Sequence, residues 1–599
     1  MALLGLYCWY QFSFSQIAFL NFSLNRTKAL NIAQTYLHNK DVDVSTYQSA
    51  IVFNMDNNAN KYLQRTIGFE NLAKFLETHD FDMFFWIVRF YRENEKEEYR
   101  LGISSSTGEV IAFKHTIDDT AARKTIPREE AKEKAKKFLN QAFGFDEKDY
   151  LIKGDLQHIY DNRSDFSLSW QKSTVAIPWT ENIYDGTGKL VTGATIAGDD
   201  ILSFSKYNFT IPDKFHRHLE RLNNTGKNLS TVFIIFYYIL FSAAIYYVIV
   251  RRNHLAMSTT RRFYFFLAGV SFILTILSTL NLYEIIFFNA KTSEPLKDYL
   301  WRYNIETIRH AIFINVALLM PCLAGELLHY ELNNQKKNGS LLHNIRSSFL
   351  TRRVAGQIGI GYLGCIILLG LQSTMFQIGQ TYWGVWIEHT WMTQSTTAYV
   401  PFLAAFIIGF KASIFEEFLY RFFAINWGKK IFKSTLIAVL ASSLIWGFAH
   451  SGYPVYPMWF RGVEVTILGL FLSWIYLRFG LISVIVAHYL FDVFWHTAGY
   501  IFGHSTPYYF YSSIFILALP LLWAVVAALI NRNDEEKTMR WHLNKHQQYN
   551  LEILKTFLKA NQEQFKNSSS AELKKEIIGH GWDVGVVDMA IEQLEKDNR

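Results

Sequence analysis

Cysteine is nearly absent from this 599-residue chain: Cys8, Cys322 and Cys365 are the only three, and all lie in apolar runs. That excludes a disulfide-stapled fold and a paired-cysteine metal cage. Charge is also scarce, at 19% of residues against 50% hydrophobic and 17% aromatic, a balance too apolar for an ordinary soluble domain. No H-E-x-x-H occurs, so the two-histidine helical zinc motif is missing. The net charge of +7 is dispersed over Lys and Arg that flank hydrophobic segments, which argues against a nucleic-acid partner and for topology signals.

What is present is a succession of apolar runs. A spanning helix needs about 20 such residues, and runs of that kind lie near 231–250, 263–290, 308–330, 354–378, 399–425, 434–451, 458–478, 480–498 and 507–530. The uncharged stretch 1–22 lacks the basic start and small-residue cleavage site of a secretory signal; it reads as an uncleaved anchor, with a signal peptide as the alternative. The expectation is a polytopic α-helical membrane protein of about 9–10 transmembrane helices, its first partner the lipid bilayer. Arg251, Arg252, Arg261 and Arg262, then Lys336, Lys337, Arg346, Arg352 and Arg353, then Lys429, Lys430 and Lys433 fall in alternate loops. The positive-inside rule makes those loops cytoplasmic, which puts residues 23–230 outside the cell membrane and the tail inside.

The outer segment contains a repeat: Ala29, Ala33, Tyr36 and Leu37 recur with the spacing of Ala131, Ala135, Phe138 and Leu139. Each set reads as an amphipathic helix, followed by strand-like stretches with a hairpin turn at Thr107-Gly108 in the first copy. Such helix-then-hairpin units resemble tandem PepSY-type domains. The expected division is an anchor at 1–22, an extracytoplasmic α+β domain at 23–230, accessory helices at 231–394, a core at 395–500, a last span at 501–530 and a small helical cytoplasmic tail at 531–599. In the tail, Trp582, Val586, Val587, Ala590 and Leu594 have the spacing of a helical bundle.

Ionisable groups at bilayer depth cost on the order of 3 kcal/mol each and normally face a bundle interior or a wet cavity. Glu416, Glu417 and Arg421 form such a group. Glu417 and Arg421, four apart, share a helix face and can pair, while Glu416 points elsewhere and has no partner on its own helix. His450 ends a second apolar run, and His488 and Asp492 lie four apart in a third. One such residue alone reads as a hydrogen-bonded core group; the whole set in three nearby spans reads as chemistry. Lys411, Glu326, His310, Arg461 and Glu464 are also near spans, Arg461 and Glu464 close enough to neutralise each other, and none is assigned a catalytic role.

E-E-x-x-x-R, then an aromatic-x-x-x-H, then H-x-x-x-N/D resembles the signature of the CPBP family of intramembrane endopeptidases, the CAAX-protease and bacteriocin-processing group. Here it reads Glu416 to Arg421, Trp446 to His450 and His488 to Asp492. Trp446 stands where Phe is usual, taken as a packing change, and Asp492 where the prenyl-protein endopeptidases have Asn. The resemblance implies that Glu416 activates water for attack on a peptide carbonyl with help from His450. His488 and Asp492 would stabilise the oxyanion, and Glu417 and Arg421 would support them. It also implies a membrane-associated protein or peptide as substrate. A metal-free reaction without a cofactor is favoured; the alternative is zinc held by His450, His488 and Asp492. His496 reads as structural. A non-catalytic scaffold or immunity protein is the alternative function. One conflict remains in this reading: Glu416 falls near the cytoplasmic end of its span and His450 near the outer end of the next.

Overall fold

The computed structural model describes residues 1–181, 184–252, 261–333, 349–387, 391–531, 545–561 and 570–597. After the N-terminal helices α1 (Ala2–Ser13) and α2 (Ser15–Ala18) and the short strand β1 (Asn21–Phe22), an α+β domain begins. Its helix α3 (Arg26–His38) is capped by the Asn25 side chain, which accepts from Lys28 N at 3.0 Å. Strands β2 (Gln48–Met55), β3 (Phe84–Tyr91), β4 (Glu98–Ser104) and β5 (Val110–Thr116) follow, with α4 (Asn57–Thr78) inserted after β2. The second copy is α5 (Arg128–Phe143) and strands β6 (Tyr150–Tyr160), β7 (Arg163–Glu181), β8 (Tyr184–Ala197) and β9 (Asp200–Thr210).

The two copies form one eight-stranded antiparallel sheet in the order β2-β3-β4-β5-β9-β8-β7-β6. Two four-strand meanders meet at β5 and β9, where Phe113 pairs with Phe204. Ala29, Ala33 and Leu37 of α3, and Ala131, Ala135 and Leu139 of α5, are completely buried. Alanine at those positions lets each helix lie close on the sheet. The β4–β5 turn falls at Thr107-Gly108 as expected, with Gly108 at φ +77, a conformation that favours glycine.

Eight helices among the described residues are long and apolar enough to cross a bilayer. They are α6 (Asp213–Val250), α7 (Arg261–Asn281), α9 (Leu296–Asn333), α10 (Arg352–Trp383), α14 (Thr435–Ala449), α15 (Met458–Phe479), α16 (Leu481–Phe502) and α17 (Pro507–Ile530). Short helices α8 (Tyr283–Asn289), α11 (Trp391–Thr397) and α13 (Asn426–Phe432) lie between them. The polytopic architecture with an added α+β domain is thus as expected. The run 399–425 is one unbroken helical path, α12 (Pro401–Glu416) passing directly into a nine-residue π-helix (Glu417–Ile425).

The N-terminal stretch holds α1 and α2, joined at Phe14 in helical conformation. Helix α1 lies against α10 with backbones touching, since a Cβ on Gly370 would sit 2.3 Å from the Gly5 Cα. After α2, β1 pairs in parallel with β10 (His504–Ser505) beyond α16.

The eight-stranded sheet is fastened to the helix bundle along its β2 edge. Glu284 of α8 accepts from Ile51 N at 2.8 Å and bonds Arg26, and the Thr397 hydroxyl of α11 accepts from Phe53 N at 2.8 Å. Edge-strand donors that would otherwise template aggregation are thereby occupied. Arg251, Arg352, Lys429 and Lys430 lie at the opposite helix ends; Lys336, Lys337 and Arg346 fall outside the described residues. In the tail, α18 (Lys545–Ala560), α19 (Ser570–Gly579) and α20 (Val584–Asp597) form a small bundle in which Val586, Val587 and Ala590 are fully buried, with Trp582 at its margin. The Leu594 side chain is outside the described residues.

Candidate active site

Three elements, α12, the turn after α14, and α16, bring Glu416, His450, His488 and Asp492 to one cavity of about 300 Å³. The expected conflict in depth between Glu416 and His450 does not arise, since their side chains stand 3.9 Å apart. Helix α14 ends at Ala449. His450 begins the 3₁₀ turn that follows and so meets Glu416 from within the bundle.

The change from α to π winding at Glu417 separates the roles of the two glutamates. Glu416 ends α12 and faces the cavity with 21% of its side chain exposed, whereas Glu417 is wholly buried. Isolated π turns inside α-helices concentrate at functional sites. Trp446 Nε1–H donates to Glu416 Oε2. The other carboxylate oxygen, Oε1, is 3.9 Å from His450 Nε2. His450 Nδ1 donates to the Trp446 carbonyl at 2.7 Å. A carbonyl only accepts, so Nδ1 carries the proton and Nε2 of the neutral ring is an acceptor turned toward Glu416.

Glu417 organises the other histidine. Its Oε1 accepts from Arg421 Nη1 at 3.1 Å and pairs with His488 Nδ1 at 2.7 Å. His488 Nε2 thereby faces the cavity, 3.5 Å from Asp492 Oδ2 and 3.9 Å from Glu416 Oε2. The Arg421 guanidinium, with a side chain 1% exposed, lies over the Trp446 ring at 4.1 Å. Every residue expected at the site is therefore within this cluster. His496 also lines the cavity and pairs with Ser395 Oγ at 3.2 Å, and Arg461 lines it from α15.

Two features escaped the sequence reading. Trp446 is not a neutral packing change, because the indole N–H that Phe lacks holds Glu416. The signal was the residue type itself, an aromatic ring with a donor one helical turn before His450. The π-helix left no signal, since its residues suit an α-helix equally well.

The match that bears on this site covers its central helices. Residues 398–494 fit the type II CAAX prenyl endopeptidase Rce1-like family. All seven residues of the three motifs lie inside that Rce1-like segment, and the N-terminal α+β domain lies beyond it. The chain is also similar to the sporulation-killing factor biosynthesis protein SkfC of Bacillus subtilis (strain 168), with 28% identity over 140 residues, 22% of this chain. The chain spans only 27% of the length of that relative. No solved structure gives a significant match.

Proposed function

We propose that the protein is an intramembrane endopeptidase that hydrolyses peptide bonds of membrane-associated proteins or peptides. The observation that carries this reading is Glu416, fixed by Trp446 and turned toward His450 in a cavity inside the helix bundle. Glu416 Oε1 and His450 Nε2 are two acceptors 3.9 Å apart, a gap that one water donating bonds of about 2.8 Å to each would span. Held so, the water directs its lone pair at a substrate carbonyl. As the new C–O bond forms, the water proton passes to Glu416, and the oxyanion is met by His488 with a proton on Nε2 and by Asp492 in its acid form. Collapse breaks the C–N bond, and Glu416 returns the proton to the leaving amine. Glu417 and Arg421 hold His488 and Trp446 in place.

A zinc ion would supply Lewis-acid chemistry from His450, His488 and Asp492. The outer domain is read as two PepSY-like units with a regulatory or substrate-presenting role.

Glu416→Gln should reduce cleavage of membrane proteins at least a hundred-fold, read by comparing membrane proteomes, with thermal unfolding of the purified protein unchanged. Wild-type cleavage by that variant would sink the role of Glu416. Activity should also survive a strong chelator; stoichiometric zinc lost with His450→Ala would replace the metal-free mechanism. For orientation, single cysteines at Ser106 and Lys575, in a background free of native cysteine, should label differently in intact cells with an impermeant thiol reagent. Only the first should react, and equal labelling would overturn the assignment of residues 23–230 to the outside.

A further inference from the structure

The proposed mechanism leaves part of the cavity's polar lining unused. Helices α10 and α15 contribute Gln372 and Arg461 to the same cavity, joined through Glu464. Glu464 is fully buried; Oε2 accepts from Arg461 Nη1 at 2.6 Å and Oε1 from Gln372 Nε2 at 2.8 Å. Both partners keep spare capacity. Arg461 Nε and Gln372 Oε1 are buried and without a hydrogen-bond partner, although Gln372 is more than nine-tenths buried and Arg461 only 19% exposed. Orphaned polar atoms in an interior call for an explanation, a missing ligand among them. The group is also close to the chemistry. Gly462, next to Arg461, lies against α14, where a Cβ on Gly447 would be 2.7 Å from the Gly462 carbonyl oxygen, one turn before His450.

We propose that Gln372 and Arg461 clamp one peptide group of the substrate beside the scissile bond. Gln372 Oε1 accepts its N–H and the Arg461 guanidinium donates to its C=O. The clamp rests on the endopeptidase reading. A neutral peptide group fits better than an anion: Glu464 cancels the charge of Arg461, and the orphaned amide oxygen of Gln372 would repel a carboxylate. A peptide unit supplies one donor and one acceptor, the complement of what is left unpaired.

The test uses purified full-length protein in liposomes with a fixed mixture of synthetic apolar peptides of roughly 20 residues, cleavage being read by mass spectrometry. The best-cleaved peptide is then remade with a single backbone N-methyl group at each position near the cut. Gln372→Met should raise KM about ten-fold with kcat within about two-fold, the pattern of lost uniform binding. One N-methylated peptide should lose about ten-fold in kcat/KM with the wild type and nothing further with Gln372→Met. Arg461→Leu combined with Glu464→Leu, which removes the ion pair without stranding a charge, should also raise KM. Unchanged KM in both variants, with N-methyl penalties that simply add, overturns the clamp and leaves the Glu416 mechanism standing. Absence of any cleavage by the wild type overturns both.

Discussion

Arg163 in the eight-stranded sheet and Arg421 in the helix bundle are both almost inaccessible, with side chains 2% and 1% exposed, yet their surroundings differ. Arg163 directs Nε to both oxygens of Asp165, at 3.0 and 3.3 Å, and Nη1 to the carbonyls of Asp118, Asp119 and Ala121. Its bonds end on the loop and strand that it fastens. Arg421 has one short bond, to Glu417, a long one of 3.5 Å to the Gly469 carbonyl, and the face of Trp446. Its partners go on to hold His488 and Glu416, and Glu417 Oε2 stays unpaired. The first network ends within the fold it ties together; the second runs on to the polar groups that line the cavity.

The largest expected effects test that difference directly. Arg163→Met and Arg421→Met should each cost about 3–5 kcal/mol of stability by stranding a buried carboxylate, measured by unfolding in detergent. Adding Asp165→Leu to the first and Glu417→Leu to the second should restore much of that loss in both cases. Cleavage should return only with the first pair, because the second removes the partner of His488 Nδ1. Recovery of cleavage by the Glu417→Leu/Arg421→Met protein would erase the distinction.

A smaller effect is expected at Trp446. Trp446→Phe keeps a ring beneath Arg421 but removes the donor to Glu416, and should lower kcat about ten-fold with little change in unfolding temperature. A variant with wild-type kcat would return this residue to a packing role.

The smallest lies in the eight-stranded sheet at Glu97. Burial raises its pKa, but hydrogen bonds from His115, Tyr99 and Tyr47 outweigh that and hold it below its ordinary 4.5. A carboxylate depressed in the folded state contributes stability that is present above 4.5 and lost as pH falls through the folded value. The wild type should therefore lose slightly more stability on acidification below 4.5 than Glu97→Gln does. Parallel acid profiles for the two proteins would show that these bonds add nothing.

The site was more legible in the sequence than the fold around it. Glu416, His450, His488 and Asp492 stood out because ionisable groups are costly among apolar neighbours, and a fixed helical spacing tied His488 to Asp492. The Ala29/Ala33 and Ala131/Ala135 spacings revealed the repeat, since a helix lying close on a sheet needs small residues. That the two repeats share one sheet depends on β5 meeting β9, a contact about 90 residues apart in the chain that no local pattern encodes. The two-residue pairing of β1 with β10 is hidden for the same reason.

The nine-residue π segment has a consequence for chain length. Residues Glu417–Ile425 occupy wider turns than an α-helix would need, so the segment holds surplus residues. Deleting a single residue, such as Phe422, would let i→i−4 bonding resume with the surplus gone and leave α12 and α13 close to their present relative orientation. The same deletion in a purely α-helical stretch would turn everything beyond it by about 100°, the angular share of one residue. A one-residue deletion between Arg421 and Asn426 should therefore be tolerated better than one inside α14 or α16, where no surplus residue absorbs it.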